Sequence, residues 1–272
     1  RLPSVEEIGH NFANVDITKE PIPVVPTIHY QMGGIPTNIH GQVVTHDGVQ
    51  NRVVNGLYAV GECSCVSVHG ANRLGTNSLL DLLVFGKSAG KHIVEFVKGF
   101  GDHHEVPADG SDRTLARLNQ LDESKEGTYA QDIANDIRQS MQQHAGVFRT
   151  QKGMDEGVVK VNALRERVGS VTLKDKSKVW NTARMEALEV DNLIEVAQAT
   201  MTSAAARKEC RGAHTVYDYE HPADHAEFPL GRNDKEWLKH TLWHSATNSL
   251  TYKPVNMKPL TVESIPPKVR TF

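Results

Sequence analysis

Four short motifs in the first 90 residues combine glycine with side chains that can bind a ligand. They are His29-Tyr-Gln-Met-Gly-Gly34, Gly61-Glu62, His69-Gly-Ala-Asn-Arg-Leu-Gly75 and Asn77-Ser-Leu-Leu80. Glycine lets a backbone approach a ligand closely, while imidazole, carboxylate and guanidinium groups supply charge and hydrogen bonds. Each motif by itself also fits an ordinary loop or helix cap, so their order along the chain matters more than any one of them.

Arg73 and His29 are the candidates for binding an anion. Arg73 lies in a loop of small residues, and its planar guanidinium can bind a carboxylate through two hydrogen bonds. A lone histidine such as His29 is more often structural than functional. The Met32-Gly-Gly34 segment that follows it suits a tight backbone beside a flat cofactor, which favours a functional interpretation.

The segment from Val53 to Gly61 predicts a strand that positions Glu62. It reads VVNGLYAVG, with a turn at Asn55-Gly56 and an apolar run closed by glycine, as in a buried strand of an α/β sheet. Glu62 would then lie at the carboxyl edge of the sheet, where its carboxylate could accept hydrogen bonds from sugar hydroxyls. A solvated acid at the start of a loop is the alternative.

Asn77-Ser78 predicts the N-cap of a helix that we expect to run from Leu79 to about Val97. The first turn of a helix has free N–H groups and carries the positive end of the helix dipole. These groups could face a ligand with partial negative charge. A plain N-cap without a ligand is the alternative.

Changes in composition divide the rest of the chain. Gly, Pro and β-branched residues are frequent up to about residue 105, whereas helix formers dominate 111–210, which predicts a boundary near Pro107-Ala-Asp-Gly110. One helical face is expected to combine residues that recur every four positions, namely Tyr129, Ile133, Ile137 and Met141. Further helices are predicted at 113–122, 154–168 and 185–209, which favours a small antiparallel bundle.

The C-terminal segment is rich in aromatic, His and Pro residues. Trp237–His244 and Leu250–Val255 predict a hairpin with the loop Ser245–Ser249, and Ile265–Phe272 predicts an extended tail. The basic run Arg207–His214 precedes this segment, and its positive charge would suit the dipole at a helix end. Contact with an acidic partner surface is the alternative for that run.

The bulk composition narrows the classes of function. A formal net charge of -3 argues against nucleic acid as a partner, because phosphate binding needs a concentrated basic surface. No apolar run approaches the roughly 20 residues of a membrane span, so membrane association would need a partner. The cysteines Cys63, Cys65 and Cys210 suggest a reducing compartment and lack the paired spacing of a metal site. The start at Arg1, without Met or a signal sequence, is interpreted as a fragment or a processed product.

Taken together, the motifs resemble the succinate dehydrogenase and fumarate reductase flavoprotein family. The matching segments are His29–Gly34, Gly56-Leu-Tyr-Ala-Val-Gly-Glu62 and Ser67-Val-His-Gly-Ala-Asn-Arg-Leu-Gly-Thr-Asn-Ser-Leu-Leu-Asp81. The likeness continues through Arg207–His214, Trp237–Leu242 and Pro266–Arg270. It identifies the chain as similar to the C-terminal portion of such a flavoprotein.

The resemblance implies a multidomain α/β + α fold. Its expected parts are the end of a capping domain at 1–27, the C-terminal part of an FAD-binding α/β domain at 28–106, an antiparallel helical bundle at 111–210, and a C-terminal α+β domain with hairpin and extended tail at 211–272. FAD is the implied cofactor, contacted by Glu62, Ser78 and Leu79. His29 and Arg73 are implied to hold the carboxylates of succinate or fumarate.

The family's reaction is hydride transfer from succinate to FAD, followed by electron transfer through an iron–sulfur subunit to quinone. The resemblance therefore implies an iron–sulfur subunit and membrane anchor subunits as partners, as in respiratory complex II of the tricarboxylic acid cycle. The implied location is the cytoplasmic face of the bacterial inner membrane, or the matrix side in mitochondria. No metal site is expected in this chain.

Parts of the family pattern are not found in these residues. No G-x-G-x-x-G motif follows a strand, and the family's proton-transferring arginine and covalent flavin histidine belong to upstream segments. We therefore expect no catalytic residue here and no activity from these residues alone. The alternatives are a fumarate reductase or L-aspartate oxidase flavoprotein, or a non-catalytic fragment that docks the iron–sulfur subunit.

Overall fold

The structure is a computed structural model that describes residues 2–23, 29–100, 105–220, 231–258 and 261–267. The chain divides into two compact units, Arg1–Gln31 and Met32–Phe272. The described residues of the first unit contain one helix, α1 (Pro3–Ala13), which begins at a proline and ends before the left-handed Asn14. The domain boundaries predicted from the sequence stay predictions, and residues 24–27 of the predicted capping segment lie outside the described residues.

The second unit begins with short strands that lead to a long helix. Its elements, in order, are β1 (Ile35–Pro36), β2 (Gln42–His46), β3 (Asn51–Tyr58), β4 (Ser64–Cys65) and α2 (Asn77–Gly99). Strands β1 and β4 pair in parallel, whereas β2 and β3 form an antiparallel hairpin. Strand β1 directly follows the first glycine-rich motif, and β4 begins shortly after Glu62. Their pairing therefore brings that motif close to the loop that carries Glu62.

The prediction of a buried strand with a turn at Asn55-Gly56 is wrong. Most side chains of β3 are exposed, and Gly56 lies inside the strand with φ of +78°. The turn lies earlier, where the carboxylate of Asp47 accepts hydrogen bonds from the backbone N–H groups of Val49 and Gln50. Because that side chain already closes the hairpin, the Asn-Gly pair continues the strand. The apolar residues of β3 therefore belong to an antiparallel ribbon and not to a parallel sheet.

Four helices, α3 (Asp112–Glu123), α4 (Ala130–His144), α5 (Gln151–Val168) and α6 (Thr182–Ala206), form the main core of the second unit. The helices predicted at 113–122, 154–168 and 185–209 are confirmed with small shifts in their bounds. Strands β5 (Thr128–Tyr129) and β6 (Val171–Thr172) pair beside them. Fully buried side chains fill the space between α4, α5 and α6, among them Ile133, Ile137, Val161, Ile194 and Met201.

The helical face predicted for α4 is confirmed in three of its four positions. Ile133 and Ile137 are buried, and Met141 packs against the same core. Tyr129 is the exception, since it is the N-cap residue in an extended conformation and is half exposed. Its backbone pairs with β6, which takes it out of the helical repeat.

The C-terminal segment contains α7 (Tyr217–Glu220), α8 (Asp234–Trp237), β7 (Lys239–His244) and β8 (Ser249–Pro254). Strands β7 and β8 form the predicted hairpin, although Trp237 belongs to α8 instead of the strand. The end of the predicted tail, residues 268–272, lies outside the described residues. Within the described ranges, no helix combines the length and apolar character needed to cross a membrane.

Candidate functional site

Four of the five candidate residues lie in the second unit, between the end of β3 and the first turn of α2. These are Glu62, Arg73, Ser78 and Leu79. His29 belongs to the first unit, so a site that His29 shares with Arg73 stays a prediction. The arrangement of the other four can be built from their local contacts.

The loop that carries Glu62 is held against the first glycine-rich motif. Ile35 donates its backbone N–H to the Cys63 carbonyl at 2.9 Å, which continues the pairing of β1 with β4. Gly34 has φ of +124°, and a Cβ there would lie 2.5 Å from the same carbonyl oxygen. Only glycine therefore fits at this approach. Glu62 is exposed at the edge of this contact and does not lie at the end of a buried strand as predicted.

Helix α2 begins at Asn77, two residues before the predicted start, and ends at Gly99. Its N-cap is Thr76, in a left-handed conformation, and not the predicted Asn77-Ser78 pair. No side chain caps the helix start and no acidic residue lies in its first turn. The positive end of the helix dipole is thus left without a negative side chain from its own first turn.

A pair of side chains joins the loop containing Arg73 to α2. The His69 Nε2 atom lies 3.0 Å from Oδ2 of Asp81, which is in the second turn of the helix. The Asp81 side chain is 5% exposed, and its Oδ1 has no hydrogen-bond partner among the described residues. Sequence reasoning missed this pairing. The signal was the charged Asp81 inside the apolar run Leu79–Phe85, since a buried carboxylate needs a partner.

The same loop also packs against a segment that is distant in the sequence. Gly212 has φ of +60°, and a Cβ at this position would lie 2.7 Å from the backbone carbon of Ala71. Any side chain at 212 would therefore displace the loop that carries Arg73. The motif predicted as a basic run at a helix end is in direct contact with the motif predicted to bind an anion.

The two arginines of that basic run form hydrogen bonds with Glu209. Its side chain is fully buried, and it accepts hydrogen bonds from Arg207 at 2.6 Å and from Arg211 at 2.7 Å. Arg207 also donates to the backbone carbonyls of Trp237 and Lys239, so it links α6 to the hairpin. The helix-capping interpretation is wrong for both arginines.

Lys208 is the residue of the run that does cap the helix. Its ammonium group donates to the carbonyl of Ala205, in the last turn of α6, at 2.9 Å. Cations suit this end of a helix because the last carbonyl groups there lack partners within the helix.

His214 ends the basic run and is largely buried. Its Nε2 lies 3.0 Å from the Arg207 carbonyl, and its Nδ1 lies 3.0 Å from the guanidinium of Arg149. The carbonyl can only accept and the guanidinium can only donate, so the ring is neutral with its proton on Nε2. Burial, and then the nearby Arg149 and Arg207, lower the pKa of His214 below its usual value of 6.5.

The residues near the start of α2 fit part of an FAD molecule. Gly33 and Gly75 have no atom within 4 Å of a Cβ position, so both present open backbone. Leu74 and Leu79 are each 65% exposed, which leaves apolar surface beside the uncapped helix start. An exposed carboxylate, the start of a helix and an apolar surface match the hydroxyls, ring carbonyls and flat ring of a flavin dinucleotide. The N–H of Leu79 itself already donates to the Thr76 carbonyl at 3.1 Å. Among the described residues no three His, Cys, Asp or Glu side chains gather as a metal site would require.

Comparison with known families gives the same picture. Residues 134–272 match the family described as fumarate reductase flavoprotein C-term, and residues 1–79 match the family described as FAD binding domain. The chain belongs to the succinate dehydrogenase and fumarate reductase flavoprotein family. This confirms the resemblance inferred from the motifs. The match of residues 1–79 to an FAD-binding domain also confirms FAD as the cofactor.

The chain is similar to the succinate dehydrogenase flavoprotein subunits of Coxiella burnetii and Rickettsia bellii. It is 47% identical to the former over 99% of this chain and 44% of the relative, and 46% identical to the latter over 100% and 45%. A solved structure of a mutant E. coli quinol fumarate reductase matches with a TM-score of 0.79 and 35% identity, over 98% of this chain and 43% of the other. The chain thus spans less than half the length of the relatives it matches.

Proposed function

We propose that the full-length protein containing these residues is the flavoprotein subunit of a succinate dehydrogenase. It would oxidise succinate to fumarate by hydride transfer to FAD and pass the electrons through an iron–sulfur subunit to quinone. The observation that carries this proposal is the single segment 69–81. It contains Arg73, whose guanidinium could bind a carboxylate, and an uncapped helix start, and the contact between His69 and Asp81 joins the two.

Each candidate residue has a role that its surroundings allow. Arg73, together with His29, would bind the two carboxylates of succinate and fix its orientation. Glu62 would accept hydrogen bonds from hydroxyl groups of the cofactor, and the N–H of Ser78 would donate to the carbonyl side of its ring. Leu79, whose own N–H is already used within the helix start, would contact the ring through its exposed side chain. FAD, when bound, supplies the acceptor for the hydride. The proton-transferring group would come from a segment outside these residues.

The 272 residues alone would neither hold FAD tightly nor turn over substrate. They contain no G-x-G-x-x-G motif to bind the pyrophosphate. The apolar surface at the start of α2, with Leu79 and Leu83 both mostly exposed, also needs cover from another part of the flavoprotein. In the complete protein we propose an iron–sulfur subunit and membrane anchor subunits as partners. The protein would then lie at the membrane periphery, on the cytoplasmic or matrix side.

Fumarate reductase is the second candidate, favoured by the fold match to the E. coli quinol fumarate reductase. Both activities need the same dicarboxylate-binding residues, and the preferred direction depends on cofactors and partners. The two are separated by comparing succinate-dependent dye reduction with fumarate-dependent oxidation of a reduced dye. L-aspartate as a third substrate tests the oxidase alternative.

The experiment is steady-state kinetics of the full-length protein and two arginine variants. Arg73→Gln should lower kcat/KM for succinate by about 100-fold, because losing two charge-assisted hydrogen bonds costs about 3 kcal/mol. Arg113→Gln, at an exposed arginine near the start of α3, is the matched control and should have no effect. A flavin-loaded protein that oxidises no succinate, or an Arg73→Gln variant with unchanged kinetics, would contradict the proposal.

A further inference from the structure

We propose that His69 and Asp81 form a clamp that positions Arg73 relative to the first turn of α2. The inference rests on the proposed function, since it gives these two residues a purpose in dicarboxylate binding. Neither residue touches the substrate in this proposal. They are positioning residues that act through Arg73 and through the backbone of Ser78 and Leu79.

The geometry places the clamp at both ends of the functional segment. His69 precedes the Arg73 loop, Asp81 follows the start of α2, and their side chains meet at 3.0 Å. The contact therefore closes the loop that runs from 69 to 81. The side chains are 15% and 5% exposed, so water screens the interaction little. A closed loop has fewer conformations, which keeps the substrate arginine at a constant position relative to the helix start.

The chemistry of Asp81 makes the clamp dependent on His69. The carboxylate is buried in the second turn of α2, and its Oδ1 has no partner among the described residues. Removing the histidine would take away the hydrogen bond to Oδ2 and leave the buried charge poorly compensated, which is costly. The segment would then relax by exposing Asp81 to water, and that movement displaces the residues on either side of the loop.

A second contact fixes the loop near its start. Gly212 packs against Ala71 so closely that a Cβ would lie 2.7 Å from the backbone carbon of Ala71. Gly212 lies next to Arg211, which is hydrogen-bonded to the buried Glu209. The loop is thus held at its ends by the His69–Asp81 clamp and at Ala71 by the backbone of a hydrogen-bonded segment. Arg73 lies in the sequence between Ala71 and Asp81.

The test compares His69→Leu with His69→Gln in the full-length, flavin-loaded protein. The Gln side-chain amide can donate to Asp81 from nearly the place of Nε2, whereas Leu cannot donate. His69→Leu should raise KM for succinate about tenfold or more and change kcat less than about threefold, because ground-state and transition-state binding are lost together. His69→Gln should stay within about twofold of the unsubstituted protein in both.

His244→Leu provides a control for a general loss of stability. His244 also pairs with a side chain, Thr251 at 2.7 Å, but it lies in the C-terminal hairpin. This variant should lower the unfolding midpoint without changing KM. An unchanged KM in His69→Leu, or equal effects of Leu and Gln at position 69, would overturn the clamp.

Hydrogen exchange separates failure of the clamp from failure of the proposed function. In His69→Leu the amides of residues 70–80 should exchange faster than in the unsubstituted protein, while those of α5 should not change. If the unsubstituted protein oxidises no dicarboxylate, the proposed function is wrong, and faster exchange at 70–80 would still support the clamp. Unchanged exchange at 70–80 would overturn it whatever the kinetics.

Discussion

The buried carboxylate of Glu209 offers the sharpest test of how the second unit is held together. We expect Glu209→Gln to destabilise the protein strongly, although it changes the side-chain volume very little. Glu209 is fully buried and its two oxygens accept hydrogen bonds from three groups: the side chains of Arg207 and Arg211 and the backbone N–H of Asn233. A glutamine amide can accept through only one of its two terminal atoms.

The expected magnitude follows from the bonds that are lost. The amide nitrogen introduced at position 209 would face two donors, either Arg207 and Arg211 on one side or Arg211 and Asn233 on the other. Two charge-assisted hydrogen bonds contribute about 3 to 6 kcal/mol, and breaking one partner of a buried ion pair costs about 3 to 5 kcal/mol. We therefore expect the free energy of unfolding to fall by about 4 kcal/mol. Arg207 and Arg211 would be left buried near each other without their shared anion.

Urea unfolding followed by tryptophan fluorescence measures this change, because Trp237 stacks near Arg207. Asp136→Asn is the matched control, since Asp136 also pairs with an arginine, Arg167 at 2.7 Å, but both side chains are more than 40% exposed. That exposed pair should contribute less than about 1 kcal/mol. A Glu209→Gln variant within about 1 kcal/mol of the unsubstituted protein would refute the reasoning, because the buried network would then carry no net stability.

Two further predictions concern the same unit. Burial lowers the pKa of His214, so the unfolded state binds more protons than the folded state below about pH 6.5, and the free energy of unfolding should fall as the pH drops through that range. Urea titrations from about pH 8 to about pH 5 should show a smaller pH dependence in His214→Gln than in the unsubstituted protein, and an equal dependence would contradict the assignment. Gly157→Ala should lower the free energy of unfolding by about 1 to 3 kcal/mol, because the added Cβ would lie 2.8 Å from Sδ of Met201 in the packed core. Gly90→Ala, in the open part of α2, is the control and should be neutral or slightly stabilising. Similar unfolding midpoints for the two variants would show that the core adapts to the added methyl group.

The sequence predicts the helices of this fold well because their buried faces repeat locally. Ile133 and Ile137 are one helical turn apart, and the same stripe that marks them in the sequence fills the core. The exposure of β3 could not be predicted from its sequence in the same way. A short apolar run looks the same in a buried parallel strand and in an exposed hairpin, and only the Asp47 turn decides between them.

The site residues also fall into two groups, those that a local sequence pattern predicts and those that it does not. The spacing of the motif residues near Arg73 placed them beside a helix start, which is a local property of the chain. The N-cap at Thr76 could not be foreseen, because a β-branched residue such as threonine rarely adopts the left-handed backbone conformation that Thr76 has here. The contact of Gly212 with Ala71 joins segments far apart in the sequence, and no local pattern reveals it.

Through this distant contact, residues of the C-terminal half would support the proposed site in the first 90 residues. Arg207 donates to a carbonyl of the hairpin and to the buried Glu209, and Glu209 also accepts from Arg211. Gly212 follows directly and packs on the Arg73 loop. A buried, charge-paired cluster resists small adjustments, because every movement breaks a hydrogen bond in a site of low dielectric. The loop of the proposed dicarboxylate site therefore rests on a rigid support supplied by the bundle and the hairpin, which the local clamp at His69 and Asp81 completes.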